Sequence, residues 1–473
     1  MTHRSVGVTV LPEFFQVEGV EAVLDNLISR AGVTAIATSP YVMRPAPDGE
    51  GSREPPIDGG AGSVRLLDRS LWGRRELWVR TAPSFEPRRS LYDGLRYRPA
   101  EPDDLTRKEG GVVEAAIRSA KARGLEVHLQ VQAAIPPGYR VQFGGPVEED
   151  RPALPDRSSP RIRVDNNGSL ASPHILDYTQ ALIRDVIGAY PDIDVLRIDW
   201  PEYPPYSLDA LFFDFSPHAM RLMEELGYDA ERIRSDAAGL YGDLAGLAPG
   251  DAGRALAAGP YGLGRLLLAR PGLLAWVQAK AAIVTRFVGA CVATAREVSG
   301  GQVRLMPQAF PPPWTLLSGF DYAAVAGTGV SAIGVKLYTM HWPMILRSTC
   351  DALVTHAPAL AGDDGLADDV AGLLGMTDAG QRLGPRTSVH YPEPDERHPV
   401  GAVAQAGKIR MAQTEAGDVP VHAFAHGYGP VADVADRVRV AFEASGGRLW
   451  VNRYGYLADA KLDAIGDVTG ARP

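Results

Sequence analysis

Residues 193–206 read Ile-Asp-Val-Leu-Arg-Ile-Asp-Trp-Pro-Glu-Tyr-Pro-Pro-Tyr and are the most informative stretch of the chain. The first half is a short apolar run with a period of two, which is typical of a buried parallel strand. Because strand side chains alternate, Arg197 and Asp199 share one face and the apolar residues between them share the other. Glu202 follows in an exit rich in proline and aromatic residues. This pattern predicts a strand end that carries chemistry.

The same residues resemble the fourth barrel strand of the family-18 chitinases, whose motif reads Asp-Gly-x-Asp-x-Asp-Trp-Glu-Tyr-Pro. Asp194 and Asp199 are five residues apart, as the first and third aspartates of that motif are. The residues that complete the match are Trp200, Glu202, Tyr203 and Pro204. The stretch also resembles barrels described only as hypothetical glycosyl hydrolases. The resemblance implies a (β/α)8 barrel with glycosidase chemistry at the end of its fourth strand.

The sequence departs from the chitinase motif at two positions. Arg197 stands where the middle aspartate would be, and Pro201 is inserted before the glutamate. In the chitinases the glutamate follows the aspartate by two residues, and the N-acetyl group of the substrate is the nucleophile. Here Glu202 follows Asp199 by three, and strict alternation would turn it away from the barrel. We therefore expect a bulge at Pro201 that re-aims Glu202, and the spacing leaves the substrate-assisted mechanism open.

Strand candidates alternate with helical segments along the whole chain. They are the first half of the quoted stretch and residues 5–11, 33–38, 125–132, 302–306, 330–338, 419–425 and 448–454. Eight such strands separated by helices, in one chain of 473 residues, predict an α/β protein with a single (β/α)8 (TIM) barrel.

The remaining length is assigned to four insertions. They cover residues 44–110, 133–173, 205–270 and 360–418. The first three follow the carboxyl ends of strands two, three and four, where a barrel places its active site, and the last precedes strand seven. Within the third insertion, residues 248–264 are rich in Gly, Ala and Pro and predict a break between helices.

The composition indicates an acidic soluble protein. The net charge of −9 and the pI of about 5.6 give no general basis for binding nucleic acid or anionic membranes. The first residues lack the apolar segment of a signal peptide and no run has the length of a membrane span, so we expect a cytoplasmic protein. Cys291 and Cys350 lack metal-ligand spacing and are expected to be buried thiols. No glycine-rich nucleotide motif follows a strand, and no cofactor is expected.

Alternation along the strands predicts an unusually polar barrel interior. Barrel interiors are normally apolar, and each unsatisfied buried polar group costs about 1–3 kcal/mol. The inward polar side chains therefore bind one another, a polyhydroxylated ligand, or both. With residues at the strand ends they form the predicted carbohydrate-binding set, which is Glu13, Tyr41, Gln132, Asp165, Arg197, Trp200, Tyr203, Gln308, Lys336, Tyr338, His341, Trp342, His422, His426, Asn452 and Tyr454.

Glycoside hydrolysis requires an acid that protonates the leaving oxygen and a second group that stabilises the developing positive charge. We predict Glu202 as the acid, because the neighbouring aromatic and proline side chains would raise its pKa. Asp199, held by Arg197 or Lys336, would stay ionised as stabiliser, base or nucleophile. A structural salt-bridge network is the alternative for this pair. Other acids near the strand ends are Glu13 and Asp165.

Three other functions are compatible with these residues. His422 and His426 lie four apart on one strand, and with a third ligand such as His128 or Asp199 they could bind a metal, although sugar contacts or core hydrogen bonds explain them more simply. Lys336 lies on strand six, where class I aldolases place their Schiff-base lysine, although pairing with Asp199 is simpler. A non-catalytic sugar-binding barrel is the third. We predict a glycoside hydrolase that acts on a carbohydrate substrate without metal or cofactor.

Overall fold

Eight parallel strands form the centre of the computed structural model, which describes residues 4–56, 65–160 and 167–470. The strands are β1 Ser5–Thr9, β2 Ala35–Thr38, β3 Glu126–Gln132, β4 Val195–Asp199, β5 Arg304–Ala309, β6 Ile333–Lys336, β7 Val421–His426 and β8 Arg448–Asn452. Each pairs with the next along the chain, and β8 pairs with β1 to close the barrel. The predicted (β/α)8 barrel is confirmed.

Helices surround the barrel and fill the insertions. They are α1 Pro12–Glu18, α2 Val20–Ala31, α3 Asp104–Glu109, α4 Gly111–Ala122, α5 Pro173–Ala189, α6 Leu208–Leu211, α7 Pro217–Glu225, α8 Ala230–Asp243, α9 Asp251–Ala269, α10 Gly272–Ser299, α11 Thr315–Ser318, α12 Tyr322–Ala326, α13 His341–His356, α14 Leu366–Leu373, α15 Ala402–Ala416, α16 Val431–Ala444 and α17 Asp459–Thr469. Local sequence sets several ends. The Ser172 side chain caps α5, and Gly32 ends α2 in the left-handed conformation.

Strand bounds differ from the predicted ones mainly at β5 and β6. The ladder between β4 and β5 continues past Met306, because Ile198 pairs with Pro307 and Asp199 with Gln308. Strand β5 therefore ends at Ala309, whereas β6 is only four residues long. These pairings place Asp199 and Gln308 side by side at the carboxyl end of the barrel.

The first and third insertions contain regular structure. The first includes an antiparallel three-stranded sheet made of Tyr41–Ala46, Ser52–Glu54 and Leu77–Pro83. The third includes α9, which covers most of the predicted break at 248–264 and tolerates Pro260 by a kink at Gly259, where φ is 49°. The predicted break between helices is therefore present but short, because the backbone is non-helical only at Gly259 and the Ala and Leu residues on both sides favour helix.

The barrel interior is filled by aromatic rings and one buried arginine. Arg197 is fully buried, and its guanidinium carbon lies 3.4 Å from the centroid of the Trp450 ring and 5.0 Å from that of Phe424. Its Nε donates to Nδ1 of His128 at 2.9 Å, and Nη1 donates to Thr9 at 3.4 Å. Burial lowers the pKa of Arg197 to about 9. Aromatic faces and neutral acceptors thus take the place of a carboxylate partner.

Our expectation that no segment has the length and apolar character of a membrane span is corrected by α10. By length and composition alone, this helix passes that test, the one helix of the described residues to do so. Its inner face is buried, including Ile283, Val284 and Phe287. In the structure α10 is the last of the five helices between β4 and β5 and leads the chain into β5.

Gly7 of β1 provides a test of the packing around Arg197. A Cβ at this position would lie 2.4–2.5 Å from three atoms of the Trp450 ring. We expect Gly7→Ala to lower the free energy of unfolding by about 1–3 kcal/mol, because the ring must move within a filled barrel. Urea unfolding monitored by circular dichroism measures this. Gly111→Ala is the control, since a Cβ there meets nothing within 4 Å; equal effects at both positions would contradict the packing argument.

Candidate active site

The residue after Asp199 changes the direction of the chain at the end of β4. Trp200 has a φ of 55°, in the left-handed region that bulky side chains rarely adopt. The amide nitrogen of Asn167 donates to the Trp200 carbonyl at 3.1 Å and stabilises this turn. The chain therefore changes direction through the left-handed conformation of Trp200, and not through the bulge predicted at Pro201. Such strained residues are concentrated at functional sites.

Asp199 lies at the centre of the barrel mouth and accepts two hydrogen bonds. Lys336 Nζ lies 2.8 Å from its Oδ1, and Gln130 Nε2 donates to Oδ2 at 3.3 Å. The Lys336 ammonium also lies over the Trp200 ring, 4.7 Å from its centroid. Of the two partners predicted for Asp199, Lys336 is therefore the one in contact. Arg197 lies deeper in the barrel, bound to His128.

Glu202 is fully buried and held by the segment that follows β5. The Phe310 N–H donates to Oε1 at 2.8 Å, and the Ser318 hydroxyl donates to Oε2 at 2.6 Å. Burial raises the pKa of Glu202 to about 7, although the Lys336 charge and both hydrogen bonds act in the opposite direction. The direction of this shift agrees with the prediction. The carboxyl group itself is fully buried, whereas the prediction placed it at the mouth.

A directional chain of amides begins at Asp199. Because a carboxylate only accepts, the Gln130 NH2 must face it, and the Gln130 carbonyl oxygen then accepts from Gln308 Nε2 at 3.0 Å. The oxygen of the fully buried Gln308 is left without a partner among the described residues. The same holds for the Gln132 oxygen and for Trp200 Nε1. These buried atoms, in residues at the carboxyl ends of β3, β4 and β5, have unused hydrogen-bonding capacity.

A second ionic cluster lies beyond the ends of β1 and β8. Glu13 accepts from the Tyr41 hydroxyl at 2.9 Å and pairs with Arg140 at 3.2 Å. Arg140 also binds Glu54, which pairs with Arg453 at 2.7 Å. Burial raises the pKa of Glu13, with Arg140 opposing. Glu13 and Tyr41 were both predicted to bind substrate. In the structure they lie together, and their polar groups are hydrogen-bonded within this cluster.

Aromatic rings line the mouth at the ends of β6 and β7. The Tyr338 ring lies 5.2 Å from the His426 ring and 5.9 Å from the His341 ring. Nδ1 of His341 lies 2.9 Å from the Tyr206 hydroxyl. Burial lowers the pKa of His426 well below its ordinary value, so this ring is neutral. Asn452, the last residue of β8, follows Trp450 on the inward face by alternation.

Two predicted site residues lie behind the mouth rather than in it. Tyr203 is fully buried and its hydroxyl donates to Asp214 at 3.0 Å. Trp342 packs against Trp314 with a centroid distance of 5.3 Å. It lines a separate cavity of about 340 Å³. Because Trp342 follows His341 in α13, its side chain points about 100° away around the helix.

Three further residues that were predicted to bind substrate are not seen at the mouth. The Tyr454 hydroxyl donates to Glu18 of α1 at 2.7 Å, outside the barrel mouth. His422 lies at the opposite end of β7 from His426 and accepts from Trp450 Nε1 at 3.2 Å. Burial lowers the pKa of His422 to about 3. Asp165 lies outside the described residues.

A histidine cluster away from the mouth has the composition of a metal site. Ligand atoms of Asp150, His174 and His218 lie within 4.8 Å of one another. However, Arg221 donates to His218 Nδ1 at 2.9 Å, so the hydrogen of this ring is on Nε2, 3.1 Å from Asp150. Nε2 then has no lone pair for a metal, and hydrogen bonding accounts for the cluster.

The sequence did not indicate Glu54, Arg140 or Arg453 as functional residues. Glu54 ends a strand of only three residues, Arg140 lies in a loop and Arg453 follows the end of β8. None of these places has a periodicity that shows which way a side chain points. The only hint of this cluster in the sequence is the number of charged residues in the insertions. It does not identify partners, because the three residues come from distant parts of the chain.

No family model and no curated protein matches this sequence. Among solved structures, the chain is similar to the β-galactosidase of the psychrophilic Marinomonas ef1, with a TM-score of 0.50 and 11% identity over 98% of this chain and 59% of that one. The PgaB (BpsB) glycoside hydrolase domain of Bordetella bronchiseptica has a TM-score of 0.48 and 11% identity, with 96% and 94% covered. The closed barrel and the likeness to the β-galactosidase together show that the chain has a (β/α)8 fold.

The raised pKa of Glu202 predicts a pH-dependent loss of stability. Its folded pKa of about 7 lies above the ordinary value of 4.5, so its contribution is fully present below pH 4.5 and is lost as pH rises through 7. We expect wild type to lose about 3 kcal/mol more unfolding free energy than Glu202→Gln between pH 4.5 and 8. Urea unfolding across this range measures the difference. Glu114→Gln, at an exposed position on α4, is the control and should follow wild type.

Proposed function

We propose that the protein is a glycoside hydrolase that uses Asp199 and Glu202 on a carbohydrate substrate. The observation that carries this proposal is the contrast between two carboxyl groups three residues apart. The Asp199 side chain is 13% exposed and bound by Lys336, whereas Glu202 is fully buried with its pKa raised to about 7. Two carboxyl groups in such different surroundings suit the division of roles in glycosidases, where one is protonated and the other is ionised.

In this proposal Glu202 supplies the proton to the leaving oxygen. Its Oε1 is fixed by a main-chain N–H, whereas Oε2 faces the Ser318 hydroxyl, which can rotate and accept. The proton therefore resides on Oε2. Asp199 faces the mouth and stabilises the positive charge that develops on the sugar ring, or attacks it.

The lining supports a polyhydroxylated substrate. The free oxygens of Gln132 and Gln308 accept hydrogen bonds, and Trp200 Nε1 donates one. Sugar hydroxyls both donate and accept, so they satisfy this mixed set, and each buried group left without a partner costs about 1–3 kcal/mol. The rings of Tyr338 and His426 add flat faces beside these groups.

A panel of aryl glycosides and natural oligosaccharides tests the proposal. We expect wild type to hydrolyse at least one member, and Asp199→Asn and Glu202→Gln each to lose about a hundredfold or more in kcat. Asp194→Asn is the matched control at the other end of the same strand, where this residue binds Lys121 and the Val127 N–H. Because Glu202 must be protonated, kcat/KM should fall as pH rises through about 7, and Glu202→Gln should abolish this limb. Full activity in both carboxylate variants would refute the assignment.

A Schiff-base lyase is the second candidate, because burial lowers the pKa of Lys336 and favours the neutral amine. The 2.8 Å contact with Asp199 opposes this by holding the ammonium form. We therefore expect borohydride reduction with pyruvate or dihydroxyacetone to leave the mass of the protein unchanged. A reduced adduct that disappears in Lys336→Met would favour the lyase over the hydrolase.

A further inference from the structure

Lys280 of α10 is a fully buried cation that the proposed chemistry does not use. Its Nζ donates to the carbonyl of Leu317 at 2.7 Å and to that of Leu211 at 3.1 Å. The ammonium lies over Trp276, 4.5 Å from the ring centroid. Lys280 thus joins the segment after β5 to the insertion after β4.

Lys408 of α15 repeats this arrangement on the other side of the same segment. Its Nζ donates to the carbonyl of Pro312 at 3.0 Å and to that of Leu374 at 2.8 Å. It lies over Trp314 at 4.8 Å. Helices α10 and α15 therefore both donate lysine hydrogen bonds to the segment at 310–318, which we call the β5 exit.

The β5 exit is the segment that holds Glu202. It supplies the Phe310 N–H and the Ser318 hydroxyl to the two carboxyl oxygens. The Ser318 carbonyl also accepts from the Tyr203 N–H at 2.9 Å, next to Glu202 in the chain. The positions of both donors thus depend on how firmly the β5 exit is fixed.

We propose that Lys280 and Lys408 are positioning residues for Glu202, which hold the β5 exit so that Phe310 and Ser318 stay hydrogen-bonded to its carboxyl group. The importance of this carboxyl group for catalysis rests on the proposed function. The positioning itself is a property of the folded protein and is measurable without turnover.

Stability alone does not account for lysines at these two positions. Burial lowers the pKa of each to about 7, which shows how strongly the site disfavours the charge. An apolar side chain of similar length would avoid that cost, as replacements of buried ion pairs have shown. A methionine side chain, however, has no donor and cannot form hydrogen bonds to two carbonyl groups. The hydrogen bonds to the β5 exit therefore explain the choice of residue.

The lysines act on Glu202 through the β5 exit rather than through their charge. The charged groups that act most strongly on the Glu202 carboxyl are Lys336 and Asp199. Loss of the hydrogen bonds from either lysine to the β5 exit should weaken the hydrogen bonds that Phe310 and Ser318 donate to Glu202. Since those hydrogen bonds favour the ionised form, the pKa of Glu202 should rise further.

The test measures the pKa of Glu202 from the pH dependence of unfolding free energy, as the difference between each protein and its Glu202→Gln counterpart. We expect Lys280→Met and Lys408→Met each to raise this pKa by about one unit, the size of one lost hydrogen bond to a charged group. Lys461→Met is the matched control. Lys461 is also buried and donates to two carbonyls, Gly427 at 2.9 Å and Tyr456 at 3.0 Å. It pairs in addition with the Asp68 carboxylate, and none of these three groups belongs to the β5 exit.

An unchanged pKa in both variants, or an equal rise in Lys461→Met, would overturn the proposal. Should a methionine variant not fold, the glutamine variants are used with hydrogen exchange of the Phe310 amide, which should be faster in Lys280→Gln and Lys408→Gln than in Lys461→Gln. If wild type hydrolyses no glycoside yet the pKa rises, the positioning stands and the proposed function fails. If wild type is active and the pKa of Glu202 does not change in the variants, the proposed function stands and the positioning proposal fails.

Discussion

The ion pair between Lys336 and Asp199 organises the polar end of the barrel. The two residues lie on β6 and β4, so the pair spans β5. The buried Lys336 ammonium pairs with the Asp199 carboxylate, and this carboxylate fixes the direction of the amide chain from Gln130 to Gln308. The same ammonium lowers the pKa of Glu202 against the effect of burial. Lys336 thus fixes the hydrogen-bonding direction of the amides through Asp199 and limits the rise that burial causes in the pKa of Glu202.

Four of the buried cations are stabilised in three different ways, and each way has its own consequence. Lys336 has a carboxylate partner, Asp199, whose side chain is partly exposed. Arg197 has aromatic faces and a neutral histidine, which suits a closed barrel interior. Lys280 and Lys408 have main-chain carbonyls, which lets them join separate segments of the chain. A carbonyl carries only a partial charge, so these two cations stay destabilised and their pKa values fall.

Period-two patterns predicted the inward faces well wherever a strand was long enough to show alternation. Asp199, Gln308, Lys336 and His426 lie inward as predicted. Predictions beyond the strand ends were less successful, because alternation no longer applies there. Trp342 and Tyr454 point away from the mouth, one within a helix and the other in a turn. Glu202 reaches its position only through the left-handed conformation of Trp200, which no pattern in the sequence indicates.

The sequence by itself determined the barrel, the order of its strands and the carboxylates at the end of β4. These follow from hydrophobic periodicity and from residue type, both of which are local properties of the chain. Only the tertiary structure decided which groups are partners. Lys336 rather than Arg197 binds Asp199, and the β5 exit encloses Glu202. The partners are separated by more than a hundred residues, so their distance depends on barrel closure and on the packing of the insertions, which local patterns do not encode.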